Sequence, residues 1–163
     1  LSKYIISSRK SEQICSKFFE WSFGKDDDFV PSKSDFSLLN HSAELHYLAY
    51  IYNWDDGHIV LKWVLQSPLC SRSTANLLFW RSLPSYFEKT NFSDPETCPD
   101  YCEAGFELIP IVLERYSNLD FSTENIAFDP TDEIEHLEHK KFDWEIPKGV
   151  YDKISGIEVY VDE

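Results

Sequence analysis

Between Ser42 and Pro84 the chain carries three apolar stretches of helical spacing with only NWDDG and SPLCSRS between them. Leu45, Leu48, Ala49 and Tyr52 follow the i, i+3, i+4, i+7 order that lines one face of a helix. In HIVLKWVLQS, Ile59, Val60, Trp63 and Val64 fall on one side, and Leu61 and Leu65 extend the apolar surface almost all round. That stretch is therefore expected to be the most buried helix. Pro68 stops it, Ser71 or Ser73 caps the next, and Ala75, Leu78 and Phe79 continue the apolar face towards Pro84. Helices joined so tightly must pack against their sequence neighbours, which predicts antiparallel hairpins. Nothing repeats at a fixed period, so a bundle is expected rather than a solenoid.

The flanks are less regular. SEQICSKFFEWSF places Ile14, Phe18 and Trp21 at helical spacing, with Ser11 as the expected N-cap and Gly24 as the stop, before the polar loop GKDDDFVPSKSDFS. SDPE at 93–96 has the order of a helix start. Phe106, Ile109, Val112 and Leu113 mark a helix over 100–116 that Pro110 should kink or divide. Beyond Leu119, ENIAFDPTDE reads as a short strand and turn, and GIEVYVD alternates with Ile157, Val159 and Val161 on one side. The expected fold is mainly α: one domain over 1–163, a compact bundle of antiparallel helix hairpins with its helical core at about 11–116. An acidic, partly extended portion at 120–163 would carry a small C-terminal strand pair.

Composition limits what such a domain can do. The chain has 12 Phe, 9 Tyr and 5 Trp, rings that are costly to leave in water, so it is read as folded. Its formal charge of −14 disfavours nucleic acid and anionic membrane surfaces as partners and favours a cationic protein. Residues 120–163 hold thirteen Asp or Glu against four Lys, so they supply −9 of that charge. Cys15 and Cys70 sit in or beside apolar helices, and the spacing of Cys98 and Cys102 fits no common zinc or redox motif. Reduced thiols and a cytoplasmic setting are expected, and no apolar run approaches the ~20 residues of a membrane span.

Two constellations invite a chemical reading. In YNWDDGHIVLKWV, residues 52–64, the residues Asp55, Asp56 and His58, joined by His46, form a candidate metal or acid–base set. Each also fits a structural duty: Asn53 tolerates the left-handed backbone past a helix, Asp55 or Asp56 caps the next helix, Gly57 permits the tight entry and Trp54 folds over both helices. In EIEHLEHKK at 133–141, Glu133 and His136 have the spacing of a carboxylate metal site, but a charge run of this kind more commonly forms a solvated helix face. There is no Gly-x-Ser-x-Gly elbow, phosphate loop or dinucleotide fingerprint, and Cys70 beside Arg72 is better explained by burial than by activation. The expectation is a protein without catalytic residues, resident metal or cofactor.

The stretch HYLAYIYNWDDGHIVLKWVLQSPLCSRSTANLLFWRSLPSYF resembles a bacterial family known as a domain of unknown function. The features that carry the likeness are the corner Asn53, Trp54, Asp55, Asp56, Gly57, then Pro68 and Cys70, then Thr74, Ala75, Phe79 and Trp80. Where members often have an acidic residue after the cysteine, this chain has Ser71. The resemblance implies a bacterial origin, and by analogy of size and charge the chain is similar to immunity proteins encoded beside antagonistic toxins. The expected function is to bind and neutralise a cognate, cationic toxin such as a nuclease. The expected contacts are Asp129, Asp132, Glu133, Glu135 and Glu138, with exposed aromatics as hot spots. The alternatives are a helical protein-interaction module whose acidity serves solubility, and a metal-dependent hydrolase built on Asp55, Asp56 and His58.

Overall fold

Short polar side chains, those of Ser7, Ser32 and Ser71, open three of the helices. In the computed structural model, which describes residues 2–19, 29–89, 103–135 and 144–162, Ser7 accepts from the Lys10 N–H to start α1 (Ser8–Phe18), and Ser32 accepts from Asp35 to start α2 (Lys33–Phe36). The His41 ring accepts from Ala43 at the head of α3 (Ser42–Ile51). After the corner come α4 (Ile59–Gln66) and α5 (Arg72–Arg81), the latter capped by Ser71 on Thr74. The remaining helices are α6 (Ser85–Lys89), α7 (Glu103–Asn118) and α8 (Thr131–Glu135). The fold is mainly α, with a small sheet in which β1 (Lys3–Ile6) runs parallel to the C-terminal β2 (Glu158–Val161).

The start of α1 corrects the sequence reading. Ser7 is the cap, not Ser11, because the first turn is polar and gives no apolar periodicity until Ile14. Trp21, Gly24, the SDPE start, Cys98, Cys102 and the histidines of EIEHLEHKK lie outside the described residues. Pro110 does not divide its helix: α7 runs from Glu103 to Asn118 with Pro110 exposed inside it.

At the corner, Asn53 caps a single 3-10 turn at Trp54–Asp56 by accepting from Asp55, and its backbone is extended. Gly57, at φ 86°, is the residue that takes the left-handed region. Neither aspartate holds the N-cap of α4, which falls to His58 without a side-chain cap bond.

The most buried helix is α5, not α4. Every residue from Ser73 to Trp80 is buried, whereas α4 leaves Ile59 and Gln66 exposed and Lys62 and Trp63 half-buried. Apolar content did not decide this. α5 packs against α3, α4, α7 and α8, so its polar side chains are enclosed as well and must find internal partners. One core cluster runs from Ile14 and Phe18 of α1 through α3, α4, α5 and α7 to Val150.

The C-terminal strand finds its main partner at the other end of the chain, in register Lys3–Glu158 to Ile6–Val161. Four residues with Tyr4 and Ile6 turned inward are too short for periodicity to reveal. The ENIAFDP stretch contributes two isolated bridges, Ile126 to Ile157 and Phe128 to Ile154. Gly156 is required beside the first: a Cβ there would stand 2.1 Å from the Asn125 carbonyl oxygen.

Candidate functional site

The acidic C-terminal segment is fastened to the helices through its backbone. Ser73 Oγ donates to the Ile126 carbonyl, the Trp80 indole N–H to Val150 (2.8 Å), and Arg72 and Asn76 both to Gly149 (3.0 Å each). Tyr116 donates to Asn76 Oδ1, fixing the amide that holds Gly149. Upstream, the Ser122 N–H donates to the Cys70 carbonyl, and its hydroxyl meets Ser42 at 2.9 Å. Buried Ser73 and Asn76 of α5 are thus satisfied by carbonyls of this segment, whereas Thr74 meets His46 and Ser71.

Asp129 is exposed two residues before the start of α8, accepting from the Thr131 N–H (3.0 Å) and hydroxyl (2.6 Å). Those bonds, more than Lys153 at 3.8 Å, hold its carboxyl below the usual range, so it is firmly ionised at neutral pH. Asp132 is exposed in the first turn of α8. Glu133 is committed inside the molecule: both its oxygens receive Arg81 at 2.8, 3.1 and 3.2 Å. Arg81 also donates to the Tyr50 carbonyl and lies 5.0 Å from the Tyr50 ring centroid. Glu135 closes α8, and Glu138 lies outside the described residues. Exposed carboxylates at Asp120, Glu124, Glu145 and Asp152 continue the acidic surface.

The alternative constellation is not brought together. Asp55 is exposed and Asp56 buried, His58 pairs with Glu107 at 3.1 Å, and His46 is enclosed elsewhere with Nδ1 2.9 Å from Thr74 Oγ1. Among the described residues, no group of three or more His, Cys, Asp or Glu is placed to hold a metal ion. Cys70 is fully buried, which pushes its thiol up to about 12, and Arg72 turns away from it to Gly149 and Asp152. A thiol so protonated is a core residue, not a nucleophile.

Beside α8 lies a feature that sequence reading missed. A cleft of about 200 Å³ opens between α3 and the C-terminal segment, lined by His46, Tyr47, Tyr50, Ala127 and Val159. Tyr50 remains 60% exposed at its edge. Burial lowers the His46 pKa to about 4, with Arg81 adding to the effect, so the ring is neutral at physiological pH. Tyr50 lies off the face marked by Leu45, Leu48, Ala49 and Tyr52, so helical spacing gives it no role. Its junction with Arg81 and Glu133 has no local signal, because the two charges are fifty-two positions apart.

Residues 40–117 match the model of a domain of unknown function, DUF4274. No curated protein and no solved structure matches the chain. The matched stretch holds α3 to α7, with the polar face of α5, and the acidic segment follows it. Among the described residues, no helix is long and apolar enough to cross a membrane.

Proposed function

We propose that this chain is an immunity protein that binds and neutralises a cognate cationic toxin, such as a nuclease, in the cytoplasm of the producing bacterium. The observation that carries the reading is the way the acidic segment is held. Its carbonyls are taken by Ser73, Arg72, Asn76 and Trp80, so Asp129 and Asp132 stand on a fixed surface rather than a loose tail. A fixed anionic surface loses less conformational entropy on binding than a tail that must be ordered. A nuclease must attract a polyanion, so its active-site surroundings are basic, and an acidic inhibitor exploits the same field. Steered association of this kind reaches ~10⁸–10⁹ M⁻¹s⁻¹ at low salt. The protein needs no cofactor and performs no chemistry in this scheme: it excludes the substrate by occupying the basic surface.

Identifying the gene beside this one and, where it encodes a basic toxin, co-expressing the two tests the reading. Rescue of growth and co-purification of a one-to-one complex are expected. A basic toxin that kills equally with and without the chain would overturn it. A helical interaction module of another role is the second reading, favoured by the cleft at Tyr50.

A further inference from the structure

The cleft between α3 and the C-terminal segment has about 200 Å³, below the ~300–1,000 Å³ of small-molecule pockets, and suits one long side chain. Its walls are the rings of Tyr47 and Tyr50 and the apolar side chains of Ala127 and Val159, with His46 in its lining. Rings and aliphatic walls take the stem and flat face of a guanidinium. The molecule already holds one guanidinium in this manner at the edge, where Arg81 lies on Tyr50 with its fork on Glu133. Most of Tyr50 is nevertheless left to solvent. None of the lining residues is a carboxylate, but carboxylates lie close by along the chain. Asp129 follows the lining residue Ala127 by two positions in extended chain, where alternate residues share a face, and Asp132 stands exposed in the next turn. Arg81 and Lys153 are the cations beside them, each already paired, with Glu133 and Asp129.

We propose that this cleft receives an arginine side chain from the basic protein partner, its guanidinium stacked on the exposed face of Tyr50 with Asp129 and Asp132 as counter-charges. This inference rests on the immunity reading and supplies its anchor: the spread charge brings the partner in, and the cleft fixes one residue and slows its departure. Arginine is favoured over lysine because a planar, weakly hydrated fork stacks on a ring and bridges carboxylates, whereas an ammonium remains solvated.

The test titrates penta-arginine and penta-lysine peptides into the whole 163-residue chain at moderate salt, following the His46 and Tyr50 ring resonances. Penta-arginine is expected to bind more tightly and to shift both rings. Ala127→Leu, which fills the cleft, and Tyr50→Ala, which removes an exposed ring, should each weaken penta-arginine about tenfold and leave penta-lysine unchanged. Tyr50→Ala guards against a packing fault in Ala127→Leu, and far-ultraviolet circular dichroism confirms that each is folded. Equal affinities for the two peptides, unmoved by either substitution, would overturn the anchor while leaving the immunity reading intact. Loss of growth rescue with the anchor data unchanged would overturn the immunity reading alone.

Discussion

Glu133 receives Arg81 on both carboxylate oxygens, at 2.8 to 3.2 Å, and the pair ties α8 to the C-terminal end of α5. The side chains are about a fifth exposed, 23% and 19%, so water screens the pair only in part. Arg81 is oriented further by the Tyr50 carbonyl and ring. Urea unfolding of Arg81→Gln, Glu133→Gln and the double variant should give a coupling of about 1–2 kcal/mol, above the usual value for a fully solvated pair. A coupling indistinguishable from zero would mean that α8 is held by packing alone.

Histidine 46 sets an acid limit. The folded pKa of about 4 lies below the ordinary 6.5, so below pH 6.5 the unfolded chain takes a proton that the folded chain refuses. Stability contributed by the neutral ring is therefore complete above pH 6.5 and is lost as pH falls to 4, by about 3 kcal/mol in all. His46→Gln can keep a polar contact with Thr74 and does not titrate. Its unfolding free energy should fall less steeply than that of the parent between pH 6.5 and 4, and parallel curves would refute the assignment.

Arg115 closes the end of α4. One of its terminal nitrogens, Nη1, donates to the carbonyls of Leu65 (2.6 Å) and Ser67 (2.7 Å), and the other, Nη2, to Asp120 (2.8 Å). A lysine ammonium lacks the fork that spans the three, so Arg115→Lys should cost about 2–4 kcal/mol despite keeping the charge. Thermal or denaturant unfolding reads this directly, and an unchanged midpoint would show that water replaces the lost bonds.

Leu119 closes α7 in a strained backbone conformation, across which the Asp120 N–H donates to the Arg115 carbonyl. It follows α7 at φ 51°, a conformation disfavoured for a side chain with Cβ, and is 80% exposed. Leu119→Gly removes a penalty of about 1–2 kcal/mol and adds glycine's chain entropy, leaving a gain of about 0.5–1 kcal/mol. A raised melting temperature is the expected readout.

The acidic surface should act mainly on approach. Asp129→Asn keeps an oxygen that can accept from Thr131, and Asp132→Asn removes an exposed charge, so neither should disturb α8. Stopped-flow mixing with the toxin should give association roughly threefold to tenfold slower for the double variant at low salt, with the difference vanishing at high salt. A rate independent of both salt and substitution would remove the electrostatic part of the proposal.

Local pattern made some of this legible. The helices around Leu45–Tyr52, Ile59–Gln66 and Ala75–Phe79 follow from apolar spacing, and Ser71 was a readable cap because capping involves neighbours in sequence. The strand at Val159 was visible through alternation, but its partner at Tyr4 was not, since parallel pairing joins distant segments. Among the expected contact residues, Asp129 and Asp132 face solvent as a charge run should, whereas Glu133 is drawn inward by Arg81.

The amino-acid sequence by itself determined the mainly helical class, the start of α5 at Ser71, and the acidity of the last forty-odd residues. Only the tertiary structure decided that α5 is the most enclosed helix. The same is true of the acidic segment's attachment through Gly149, Val150 and Ile126, and of the cleft between Tyr50 and Ala127. Helical spacing and caps are short-range, set by residues within a few positions of one another. Burial of Ser73, Asn76 and His46 depends on which remote carbonyl or hydroxyl arrives beside them, a property that no window of sequence contains.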